Sequence, residues 1–111
     1  MYLTAKVLKV EVKKNPGFHE KTGDPDPSYF LEATVVDVET NVRYQCSFRE
    51  SLGAELLYKA YGEKIPEAER DALAADVEAK AKQQLENQEV TLIVDEVRVN
   101  KGFITLLVRK V

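Results

Sequence analysis

Residues 2–12 constrain this fold more than any other stretch. They alternate apolar and polar as a half-buried strand does, but the alternation slips once. Leu3, Ala5 and Val7 share one phase; Leu8, Val10 and Val12 share the other. Successive strand side chains point to opposite faces, so an uncorrected slip would turn half of this apolar set to solvent. One extra residue, a β-bulge, returns both sets to a single inner face. Small closed barrels need such bends because their strands coil sharply.

The rest of the chain extends this picture. Residues 13–28 carry Asn15-Pro16-Gly17, Thr22-Gly23-Asp24-Pro25 and Asp26-Pro27-Ser28, all turn formers, and predict a long, mobile connection. A second strand is expected from Tyr29 to Glu39, a turn at Glu39-Thr40-Asn41, and a third strand over 42–49. In that third strand Val42, Tyr44, Cys46 and Phe48 form the core side, and Arg43, Gln45, Ser47 and Arg49 the polar side.

Two helices should follow. Ser51 suits an N-cap and Gly62 a C′ position, with Leu52, Leu56, Leu57 and Ala60 on one face between them. The second helix is expected from about Pro66 to Gln88, with Leu73, Val77, Ala81 and Leu85 forming a narrow apolar stripe. Residues 89–99 return to strand with a second phase slip, Val90, Leu92 and Val94 against Val97 and Val99. Asn100-Lys101-Gly102 is a tight turn, and 103–111 the last strand.

A chain of 111 residues suits one domain, here 1–111, with the helical excursion at about 51–88. Hydrophobic residues at 44% and charged residues at 32% are a globular balance, not a disordered one. Cys46 is the only cysteine, so an internal disulfide is excluded and a cysteine-based zinc site lacks ligands. Its place on the apolar phase makes it an inert buried thiol. The N-terminus has no apolar run of signal-peptide type, and no stretch approaches a membrane span, so a reducing, cytoplasmic compartment is expected.

The β-β-β-α-β-β order resembles the OB fold, a five-stranded Greek-key barrel with a helix between strands three and four. The resemblance rests on element order, the phase-slipped first strand Tyr2–Val12 and the Asn100-Lys101-Gly102 turn. In style the chain is similar to small single-stranded-DNA-binding proteins of phages and mobile elements. The expected fold is therefore mainly β with α, an OB-type barrel whose helical insertion is longer than usual. The resemblance implies that the outer face of strands two and three, with the first and last hairpin loops, binds oligonucleotides.

The net charge of −3 weighs mildly against a polyanion binder. That charge is unevenly spread. Residues 63–89 hold eight acids (Glu63, Glu67, Glu69, Asp71, Asp76, Glu78, Glu86, Glu89) and four bases (Lys64, Arg70, Lys80, Lys82). The segment carries about −4 by this count and leaves the remainder near +1. A solvated helix face explains such acidity, and so does acidic surface held away from a bound strand.

Arg43, Gln45 and Arg49 are the expected binding residues of the third strand, with Arg98 and Lys101 beside the last turn and Lys21 in the long loop. Lys13, Lys14, Arg109 and Lys110 add cations. Phe18 and Phe30 are candidate stacking platforms, Tyr29 and Phe30 necessarily facing opposite ways, and Phe103 borders the turn. A solvated strand face would look the same.

Catalytic readings are poorly supported. His19 is the only histidine, Asp24 and Asp26 flank a turn proline, and no phosphate-binding glycine loop is present. The sequence therefore points to a non-catalytic, cofactor-free module that binds single-stranded nucleic acid. The alternative is a protein-interaction or assembly module, contacting a partner or a second copy through residues 51–88 or through an exposed edge strand.

Overall fold

The computed structural model describes residues 1–110. Five strands and two helices follow the order β1 (Tyr2–Asn15), β2 (Ser28–Asp37), β3 (Arg43–Phe48), α1 (Ala54–Gly62), α2 (Glu67–Leu85), β4 (Glu89–Asn100) and β5 (Phe103–Lys110). The expected last strand reaches Val111, which lies outside the described residues. The protein is mainly β, and its sheet closes on itself in the order β1-β2-β3-β5-β4. All neighbouring strands are antiparallel except β3 and β5, which run parallel.

Strand β1 has two partners. Its first part pairs with β4, Tyr2 opposite Ile93 through Lys6 opposite Glu89. From Ala5 onward it pairs with β2, and the register skips between Val7 and Lys9. Leu8 is thus the extra residue of the bulge, and Ala5, Val7 and Val10 are all fully buried on one face. The main chain of Val7 is satisfied from outside the strand: its N–H donates to the Gln88 carbonyl at 2.9 Å and its carbonyl accepts from the Asn87 N–H at 2.9 Å.

Beyond the bulge β1 leaves β4, and helix α2 takes that flank. Val12 is paired with Leu31 on one side and donates its N–H to the Glu78 carboxylate at 2.8 Å. Lys14 meets Asp71 at 2.9 Å and Glu67 at 3.2 Å. The helical excursion therefore packs on the sheet. Several of its acids have internal partners, which a plain solvated face would not require.

The core combines the inner face of the sheet with the helices. Phe48, Leu31, Leu92, Leu106, Val35, Val108 and Cys46 are essentially inaccessible, and Leu57, Val77, Ala81 and Leu85 join them from α1 and α2. The α2 stripe keeps Val77, Ala81 and Leu85 but continues through Ala74 and Arg70, while Leu73 is only half-buried. The helix spans Glu67–Leu85, inside the expected Pro66–Gln88, because Glu86 turns extended and Asn87 is left-handed (φ 64°).

Helix α1 corrects the expectation more sharply. Ser51 does not cap it. The chain enters through two left-handed residues, Leu52 (φ 60°) and Gly53 (φ 84°), and the first helical residue is Ala54. Gly62 is the last helical residue and not a left-handed terminator; that conformation falls to Lys64 (φ 56°). The buried face is Ala54, Leu57 and Ala60, whereas Leu56 is exposed.

Strands β2 and β3 each end sooner than expected. The Asp37 carboxylate accepts from the Glu39 and Thr40 N–H groups and closes the turn early, leaving Val42 exposed. Strand β4 has the expected irregularity, with register shifts between Ile93 and Glu96. No helix is long and apolar enough to cross a membrane.

Candidate nucleic-acid interface

The ladder registers fix which side chains share the outer face of the sheet. One row across all five strands reads Lys9, Thr34, Gln45, Thr105 and Arg98. It is polar throughout and ends in a cation on each side. Gln45 donates from Nε2 to the Thr34 hydroxyl at 3.1 Å, which fixes its amide in the row. The next row reads Glu11, Glu32, Ser47, Leu107 and Glu96. Beyond it lies Lys13 opposite Phe30, with Arg49 following the Phe48–Leu31 pair.

The three acids of the middle row all have cationic neighbours. Glu11 lies 3.5 Å from Lys9 and 3.9 Å from Lys13, and Glu32 lies 3.0 Å from Lys13. Glu96 accepts two hydrogen bonds from Arg98, at 3.0 and 3.4 Å. The Arg98 guanidinium holds the Glu96 carboxyl below its usual range, and the positive field of Arg49 adds to this. Arg43 and Arg49 form no ion pair among the described residues, so both guanidinium groups remain available to an incoming anion.

The β4–β5 hairpin rises beside this face. Its two-residue turn, Lys101 (φ 48°) and Gly102 (φ 84°), has the left-handed conformations that tight hairpins need. Phe103 is 69% exposed. The parallel β3–β5 pairing begins at Gln45–Thr105, and Arg43 and Phe103 each stand two residues before it on their own strands. An exposed ring and a guanidinium free of ion pairs among the described residues are groups that single-stranded nucleic acid can use.

A second cluster forms where the β1–β2 connection meets α1. Phe30 is half-buried, and its ring meets Tyr58 edge-on at 6.0 Å between centroids. It is one wall of a groove of about 230 Å³ with Leu57, Tyr58 and Tyr61. Tyr61 also lines a neighbouring groove of about 330 Å³ with Phe18, His19, Lys21 and Lys64. Phe18 itself is 72% exposed, and the Lys64 ammonium lies 4.5 Å from the centre of the Tyr61 ring.

The sequence-predicted residues therefore fall into two groups. Phe18, Lys21 and Phe30 come together around Tyr61. Arg43, Gln45, Arg98 and Lys101 come together around Phe103 and the Gln45–Thr105 pair. Arg49, on the Phe30 side of the sheet yet close enough to act on Glu96, stands between them. Tyr58 and Tyr61 were not singled out from the sequence. Their spacing of three on a helix, both exposed, was the available signal.

The long connection is more ordered than its composition suggests. Phe18 bridges to Pro25, His19 and Asp24 pair through the main chain, and Asp26 donates its N–H to the Gly17 carbonyl at 2.8 Å. The Asp26 carboxylate is buried and bonded to Lys64 at 2.7 Å and Arg70 at 3.0 Å. Those two cations hold the Asp26 carboxyl below its usual range. Arg70, also buried, donates further to the Pro27 and Ile65 carbonyls. This cluster clamps the loop that carries Phe18 and Lys21 onto the α1–α2 junction.

Cys46 is inaccessible, and burial pushes its thiol up to about 12. Among the described residues no group of three or more His, Cys, Asp or Glu is placed to hold a metal ion. Compared with protein-family models, with curated proteins and with solved structures, the chain matches none of them.

Proposed function

We propose that the closed sheet is an OB-type Greek-key barrel and that the protein is a non-catalytic module binding single-stranded nucleic acid, with single-stranded DNA the favoured form. The order β1-β2-β3-β5-β4, with its parallel β3–β5 pair and helices between β3 and β4, supports the fold reading. The observation that carries the function is the placement of Phe103 and Arg43 at one end of the outer face and Phe30, Tyr58 and Tyr61 at the other. Bases stack on the rings. Phosphates meet Arg43, Arg49, Arg98, Lys101 and Lys21 between and beside them.

The paired carboxylates Glu11, Glu32 and Glu96 limit how much net positive charge this face offers. Affinity therefore depends on stacking as well as on charge, with little sequence preference because every base has a π-face. Titration of a fluorescent oligothymidylate at several salt concentrations tests the reading. Binding that weakens steadily with salt is expected; no binding at low salt overturns it.

A further inference from the structure

The β4 strand outlasts its neighbour. Its pairing with β1 ends at Ile93, and the Val94 N–H makes a last bond to the Met1 carbonyl. From Glu96 to Asn100 it is paired only with β5, Asp95 being skipped in the register, so among the described residues its other flank is a free edge. Free edges recruit further strands unless they are short, charged or covered. On this edge Val97 is 49% exposed and Val99 72% exposed, on one face, while Glu96 and Arg98 occupy the other.

We propose that a second copy of this chain docks on this edge, its own Asp95–Val99 segment pairing antiparallel about a two-fold axis at Val97. The register follows from the side chains. With the axis at Val97, Val97 faces its symmetry mate, and Glu96 of each copy faces Arg98 of the other, giving two opposite-charge pairs. A slip by two residues sets Arg98 against Arg98 or Glu96 against Glu96, and like charges directly opposite are unfavourable. A slip by one sets Val97 against Glu96 or Arg98 and moves the valines to opposite faces. Of these registers only the one centred on Val97 pairs opposite charges and sets Val97 against its own mate, with Asp95 opposite Val99 at each end.

Cysteine cross-linking tests this register directly, because the sole native thiol, Cys46, is buried and does not compete. Val97→Cys is exposed enough not to disturb the fold, and under mild oxidation it should give a covalent dimer. Val99→Cys alone should cross-link far more slowly, since Asp95 stands opposite, whereas Asp95→Cys combined with Val99→Cys should cross-link again. In sedimentation, wild type should shift from monomer to dimer with concentration. Glu96→Arg should weaken the dimer at least tenfold, and Glu96→Arg with Arg98→Glu should restore it. A protein monomeric at every concentration, or equal cross-linking of the two single cysteine variants, overturns the proposal. Each readout is made without nucleic acid, so it stands or falls apart from the binding function.

Discussion

Arg70 of helix α2 reaches the Asp26 carboxylate at 3.0 Å in a buried position and joins the helical excursion to the β1–β2 connection. A buried charge is tolerated only when it is paired and hydrogen-bonded, and this one also holds the Pro27 and Ile65 carbonyls. The two residues stand 44 positions apart in the chain, so the contact is wholly tertiary.

Loss of that contact should be costly. Arg70→Met keeps the apolar stem but removes every donor, leaving Asp26 with Lys64 alone. We expect a clear drop in thermal midpoint, far larger than that of Lys80→Ala at an exposed i,i+4 pair on the same helix, where about 0.5 kcal/mol or less is expected. Calorimetry of the two variants side by side measures the difference. Equal midpoints would show that the clamp is not stabilising.

Acid should release the same clamp. The folded carboxyl of Asp26 is held below its unfolded value, so below neutrality the unfolded chain takes up its proton first. The stabilisation is complete above the unfolded value, roughly 3.9, and is lost as pH falls through the folded one. Asp71, held down by the Tyr29 hydroxyl and by Lys14, adds to the same trend. Thermal midpoints should therefore fall below about pH 4, and Asp26→Asn should flatten that slope.

The thiol of Cys46 should be silent in the native protein. At pH 8 a group with a pKa of about 12 is ionised at about one part in ten thousand, and no reagent reaches it. Labelling with a chromogenic disulfide should proceed only through unfolding, and should accelerate in Phe48→Ala. That substitution empties a fully buried site and should cost about 3–5 kcal/mol.

Gly17 faces the Asp26 carbonyl so closely that an added Cβ would lie 2.8 Å from it. Gly17→Ala should loosen the connection without touching the sheet. Faster amide exchange at Asp26, whose N–H donates to Gly17, is the expected signal.

In oligonucleotide titrations Phe103→Ala and Tyr61→Ala should each lose about 1–3 kcal/mol of affinity at any salt, the signature of stacking. Arg43→Ala and Arg49→Ala should instead lower the salt dependence by about one unit of slope each. Uniform, small effects from all four would argue against the outer face as the track.

The strands were legible because alternation is local: a period of two in polarity is imposed by the geometry of each strand alone. The bulge was legible for the same reason, as the slip between Val7 and Leu8 became the register skip between Val7 and Lys9. Helix α1 departs from expectation at both ends because Leu52, Gly53 and Lys64, and not Ser51 or Gly62, take the positions that begin and end it. Of the candidate site, Arg43, Gln45 and Arg49 follow from the alternation of β3. Tyr61, which joins Phe18 and Lys21 to Phe30, does not.

The sequence by itself determined the strands, the bulge in β1, the two helices and the segregation of acidity into residues 63–89. Tertiary structure decided what those residues are for. It set β3 beside β5, turned Glu78 and Asp71 into partners for β1, and buried Arg70 with Asp26. It also left Val97 and Val99 exposed on an edge where their pattern alone reads as core. The division has one cause. Periodicity records which face a side chain takes along its own element, whereas its neighbours are fixed by how distant segments close together, which no local pattern records.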